Sequence, residues 1–143
     1  MLKVGMAEKL FTIEEAERMI PKLEEIVQHL IITKKSAMEA GQELASIQEE
    51  MKSGNSVRAA DLVNKRTELD FLVRILNEGL DTIEQLGAQP KDIDLGLVDF
   101  PTVIEGEEVL LCWKYGEKSI DFYHNLIEGF AGRKPLKKTT SKT

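Results

Sequence analysis

Two hydrophobic periods divide the chain. From Leu23 to Met51 the apolar positions follow a heptad. Leu23, Leu30, Ala37, Leu44 and Met51 form one series, and Ile26, Thr33, Ala40 and Ile47 a second. So narrow a seam predicts a long helix of the coiled-coil kind over about 21–52. Its middle, Thr33 to Gly41, is rich in small residues, which lets another helix approach closely. Ser53-Gly54-Asn55-Ser56 reads as a tight turn with a ready N-cap. A second long helix follows over about 56–86. Leu62, Leu69, Leu76 and Ile83 form its stripe, Leu72, Val73, Leu80 and Leu86 widen it, and Gly87 stops it. Two helices of roughly 45 Å joined by so short a turn must run antiparallel. The widened stripe exceeds what one partner helix covers, so a further surface is expected to meet it.

Upstream, Thr12 and Glu15 have the spacing of a capping box, and Phe11 is placed to staple onto Ala16. Pro21 cannot donate a helical hydrogen bond and disfavours helix at Ile20. A short helix over about 13–20 is therefore predicted, with Pro21 opening the next.

After Pro90 the period becomes alternating. Glu105-Gly106 and Gly116-Glu117 are two-residue turn signals, which predict a three-stranded antiparallel β-meander with strands at about 96–103, 107–115 and 118–124. In that register Asp99 faces Cys112 and Cys112 faces Asp121, with Val98, Trp113 and Ile120 in the neighbouring row. Val98, Phe100, Leu111, Trp113, Tyr115, Ile120 and Phe122 then make the core face. Asp99, Cys112, Lys114, Asp121 and Tyr123 point outward. A slip of one residue would exchange the faces and bury both aspartates. Pro101 suits an edge strand. The expected fold class is α+β: a long antiparallel helical hairpin with a short N-terminal helix, plus the meander, in a single domain over 1–136.

Charge refines this picture. Residues 1–90 carry 11 basic and 16 acidic side chains, residues 91–132 carry 3 and 9, and residues 133–143 carry 5 and 0. The body is acidic, so nucleic-acid binding is not expected of it; the basic run at 137–143 reads as a solubilising tail without fixed structure. One cysteine, Cys112, allows no internal disulfide. No apolar run is long enough for a membrane span. Cytoplasmic residence is the expectation.

Several short motifs carry a resemblance. They are Phe11-Thr12-Ile13-Glu14-Glu15-Ala16 with Pro21, Gly96-Leu97-Val98-Asp99-Phe100-Pro101, Leu111-Cys112-Trp113, Gly116-Glu117, His124, and Gly129-Phe130-Ala131-Gly132-Arg133. Together the chain resembles the domain of unknown function 2203 family of small prokaryotic proteins over about residues 10–136. Tyr123 stands where the family pattern usually has tryptophan. The resemblance implies this architecture and no particular activity.

The candidate chemistry lies in the last third. Asp99, Cys112 and Asp121 form a carboxylate–thiol–carboxylate row, yet thiolates suit soft metals and carboxylates hard ones. A half-buried thiol between solvated carboxylates is the simpler reading. Cys112 with His124 suggests a metal site or a thiolate–imidazole nucleophile, but the register puts them on opposite faces. His29 flanks the helical seam. No paired-cysteine or His-x-x-x-His spacing is present, so no metal and no cofactor are expected, and enzymatic activity stays an open question. Gly129 and Gly132 bracket Phe130, and with Arg133 they can serve as a tight turn or an anion cradle. As a ligand-binding set, Asp99, Cys112, Asp121, His124, Arg133 and Glu117 are the candidates. The favoured reading is a non-enzymatic assembly protein, a homodimer through its helices, with another protein partner as a further option. The alternative is a small-ligand or metal-binding module on the sheet's polar face.

Overall fold

The computed structural model describes residues 9–54 and 58–137. The leader, the Ser56 cap and the basic tail beyond Lys137 lie outside the described residues. Helix α1 spans Ile13–Arg18, and both hydrogen bonds of the Thr12–Glu15 capping box form. Helix α2, Ile20–Lys52, begins after a one-residue break at Met19 and carries Pro21 in its first turn, where the missing N–H costs nothing. Helix α3 spans Ala59–Gln85, and Gly87 (φ 95°) stops it.

The long helices run antiparallel. Arg58 pairs with Glu50 at 2.7 Å and Lys65 with Glu43 at 2.9 Å. Further along, Gly79 sits against Leu30, where an added Cβ would lie 2.7 Å from Leu30 Cδ2. The heptad seam of α2 is buried at Leu23, Leu30, Thr33, Ala37, Ala40 and Ile47.

The sheet has five strands, not three. They are β1 (Gln89–Asp92), β2 (Leu97–Ile104), β3 (Glu107–Lys114), β4 (Phe122–His124) and β5 (Lys134–Pro135), antiparallel and adjacent in chain order. Pro90 and Pro135 lie in the two outer strands, where a missing N–H is tolerated. Pro101 belongs to β2, opposite Leu110, and so is not on an edge strand; beyond the reach of β1, its carbonyl accepts from the Phe11 N–H at 2.7 Å.

The turn at Glu105-Gly106 forms as two residues, both with positive φ (51° and 80°), the primed geometry that suits the sheet's twist. It fixes Asp99 opposite Cys112 and Val98 opposite Trp113, as expected. The second turn departs from expectation. The Glu117 N–H donates to the Lys114 carbonyl at 2.9 Å, so Tyr115 and Gly116 are the central pair, and pairing resumes only at Phe122. Cys112 therefore faces Phe122 rather than Asp121, and Leu110 faces His124. This one-residue slip moves Tyr123 to the core side and Phe122 to the other.

The inner face of the sheet joins α1, α2 and α3 in one core. Val98, Phe100, Leu111, Trp113 and Ile120 pack there with Phe11, Leu23, Val27 and Ile83. The Trp113 indole N–H donates to the Glu117 carbonyl at 2.9 Å, and the Ile120 N–H donates to Glu17 of α1 at 2.9 Å. Tyr115, expected in the core, is exposed because it lies in the turn. Among the described residues no helix is long and apolar enough to cross a membrane.

Candidate functional site

The outer face of β2, β3 and β4 is covered as well. After β4 the chain turns back through a short 3-10 turn at Gly129–Gly132 and returns as β5. This lays Arg133 over the ring of Phe122, 4.2 Å from its centroid, with Phe130 at 5.0 Å on the guanidinium. Asp99 and Cys112, expected to face solvent, are consequently each 1% exposed, and His124 is 2% exposed.

Those three side chains share a face. Cross-strand partners point the same way, and positions two apart along a strand do too. Asp99 pairs with Cys112, and His124 sits opposite Leu110, two places from Cys112. The expected separation of Cys112 from His124 thus disappears with the register slip. One potential ligand atom from each of Asp99, Cys112 and His124 lies within 4.8 Å of the others.

The hydrogen bonding orients this trio. His124 Nδ1 lies 2.7 Å from the Asn125 carbonyl oxygen, which can only accept, so Nδ1 bears the proton. His124 Nε2 faces Asp99 Oδ2 at 2.9 Å, and the two share a proton between them. Burial raises the Asp99 pKa, opposed by the charges of His124 and Lys91. Burial, then the negative charge of Asp99, pushes the Cys112 thiol up to about 11. At neutral pH it stays a thiol, which does not suit a nucleophile. Asp99 Oδ1 is buried with no hydrogen-bond partner. The nearby thiol is too weak a donor to replace one.

Beside the trio is a second cluster. Arg133 Nη2 donates to Glu117 Oε1 at 2.6 Å and to the Cys112 carbonyl at 3.1 Å. The same Glu117 oxygen accepts from the Lys114 N–H at 2.8 Å. Arg133 is thus committed to holding the returning segment on the sheet, and the anion cradle is replaced by an ion pair. Gly129 (φ 69°) opens the 3-10 turn, the turn role expected of it.

Of the six candidates, five gather on or beside the outer face of β3. Asp121 does not: it is exposed in the loop before β4, where Ser119 Oγ donates to it at 2.7 Å. Asn125 escaped the sequence reading. Its carbonyl orients His124, and its side-chain oxygen accepts from the N–H groups of Ile127 and Glu128 at 2.9 and 2.6 Å. An asparagine directly after a strand is the one signal available, because its side chain can hydrogen-bond the backbone two residues on.

The hairpin offers a different kind of surface. Sheet-facing α2 residues include Val27 and Ile31. His29 lies two places from Val27, about 200° round the helix. There a groove of about 400 Å³ runs between the helices, lined by Ile26, His29, Thr33, Ile75, Gly79 and Thr82 among others. One turn along α3 from Ile75 stands Phe71, 54% exposed, and beyond it Val63, 61% exposed. In α3 only Ile83 is fully buried.

No curated protein and no solved structure matches the chain. A family model does match, over residues 9–136, and it takes in both long helices and all five strands. The chain belongs to that family, described as uncharacterized conserved protein (DUF2203).

Proposed function

We propose that the protein is a non-enzymatic assembly module that pairs with a second copy through its helical hairpin. The observation that carries this reading is α3, a 27-residue helix in which only Ile83 is fully buried while Phe71, one turn from the groove residue Ile75, stands open. Helices in globular proteins owe most of their stability to burying an apolar face. The face turned from the sheet is about two helix widths across and about 40 Å long, roughly 800 Å² per copy, which is the size of a standard interface. A second hairpin would bring to it the same groove of Ile26, Thr33 and Ile75, and a twofold pairing uses one self-complementary patch on both copies.

Sedimentation of the full-length chain tests this. The expected species is a dimer, and Phe71→Ser should give a monomer with an unchanged circular dichroism spectrum, since the side chain is exposed. A wild-type chain that stays monomeric at every concentration would end the proposal. A second reading, a small-ligand or metal-binding module on the sheet, is favoured by one observation: the unpartnered Asp99 Oδ1 beside an imidazole and a thiol.

A further inference from the structure

We infer that Asp99, Cys112 and His124 form a binding site for one zinc-class divalent ion, which clips β2, β3 and β4 together. This does not depend on how the hairpins pair.

Three independent features converge on the site. The first is the donor set. One carboxylate oxygen, one sulfur and one imidazole nitrogen lie mutually within 4.8 Å, each from a different strand. A tetrahedral ion with bonds of about 2.0–2.3 Å needs its ligands about 3.5 Å apart. The His124–Asp99 contact of 2.9 Å would open by about half an ångström as the ion replaces their shared proton. The second is the tautomer. The Asn125 carbonyl takes the Nδ1 proton and leaves the Nε2 lone pair aimed into the cluster. Ligating histidines are oriented in this way, by a backbone carbonyl or carboxylate on the other nitrogen. The third is Asp99 Oδ1, a buried carboxylate oxygen that meets no hydrogen-bond donor stronger than the nearby Cys112 thiol. Leaving such a group unpaired is costly, and a cation on the same carboxylate offsets that cost through its charge.

The mixture of sulfur, nitrogen and oxygen selects the metal class. Magnesium and calcium want oxygen alone, and cuprous copper prefers sulfur-rich sites, whereas zinc takes all three donors. Three protein ligands leave a fourth position for a water or another small ligand. Because the ligands come from three adjacent strands and His124 is tied to Asn125, the ion would hold the strand β4 and the start of the returning segment in register.

Cobalt(II) is the probe. The purified full-length chain is stripped with a chelator, then titrated with zinc and separately with cobalt. The expected result is one equivalent bound, a thiolate-to-cobalt charge-transfer band, and a tetrahedral visible spectrum. Cys112→Ser should abolish the charge-transfer band, and His124→Gln should weaken binding by at least about tenfold. Asp121→Asn, outside the trio, should leave both unchanged. Wild-type protein that gives no charge-transfer band overturns the inference without reference to any variant, and so does a band that persists in a folded Cys112→Ser chain. If the variants do not fold, the unfolding midpoint of the chelator-stripped wild-type chain with and without added zinc decides in their place; a midpoint that zinc does not raise overturns the site.

Discussion

The hairpin and the sheet solve the burial problem in opposite ways. In β2 and β3 the central residues are buried on both faces, the inner against helices and, at β3, the outer beside the returning Arg133. In α3 the burial is one-sided and shallow, with Ile83 alone fully enclosed. Two-sided burial presses polar groups in and beside the strands toward one another, which is why Asp99, Cys112, His124, Glu117 and Arg133 cluster, with Asp99 Oδ1 and Arg133 Nε left over. One-sided burial imposes no such demand, and the hairpin's charges settle into exposed pairs such as Lys65 with Glu43 and Glu68. Dense polar contacts accumulate where water is excluded, and exposed apolar surface where it is not.

Substitutions can break or sharpen that contrast. The largest effect is expected at Trp113, whose side chain is fully buried between sheet and helices. Trp113→Ala should cost about 3–5 kcal/mol, read as a lowered midpoint of denaturant unfolding. Ile47→Ala is the matched test in the hairpin. Ile47 is buried, but far along α2 from the sheet, with α3 as its cover. An open groove lined by Arg58, Asp61 and Lys65 lies beside it, so the site can collapse after truncation and the cost should be about 2 kcal/mol, the low end for such truncations. A cost of about 4–5 kcal/mol at Ile47, the top of the range for that truncation, would show that the hairpin is as fully enclosed as the sheet and would remove the contrast. The smallest effect has the opposite sign. Gly41 lies inside α2 with negative φ, and a Cβ there would meet nothing within 4 Å. Gly41→Ala should stabilise the chain by about 0.5–1 kcal/mol in thermal unfolding, the gain of helix propensity alone.

The helices were legible because their period is long and redundant. The heptad from Leu23 to Ile47 and the cap at Thr12 each repeat one message over several positions, and the observed ends differ from the expected ones by only a few residues. The sheet was legible where a local rule decides its geometry. Glu105-Gly106 set the β2–β3 register with no help from the rest of the fold. It was illegible where tertiary contacts decide. Strand β1 reads Gln-Pro-Lys-Asp and has no apolar alternation to announce it; β2 recruits it by pairing. Strand β5 is two residues long and exists because Arg133 and the Leu136 N–H anchor it to Cys112 and Asp121. Gly116 was legible as a turn but not as the second central residue of one, and the irregular stretch from Glu117 to Asp121, before pairing resumes at Phe122, carried the register of β4 and the faces of Phe122, Tyr123 and His124. The trio of Asp99, Cys112 and His124 therefore contained the right residue types, while its assembly on one face depended on a loop length that no short motif encodes.

The outer strands have a consequence for edge-to-edge aggregation. An open sheet normally ends in a row of free N–H and C=O groups, and such rows template the addition of further strands. Here each boundary strand is only two to four residues long and contains a proline, Pro90 at one side and Pro135 at the other. Each proline interrupts the row of donors that an incoming strand would need. Filament growth by strand addition is thereby discouraged at both ends, since neither boundary offers the unbroken run of donors that a growing sheet copies.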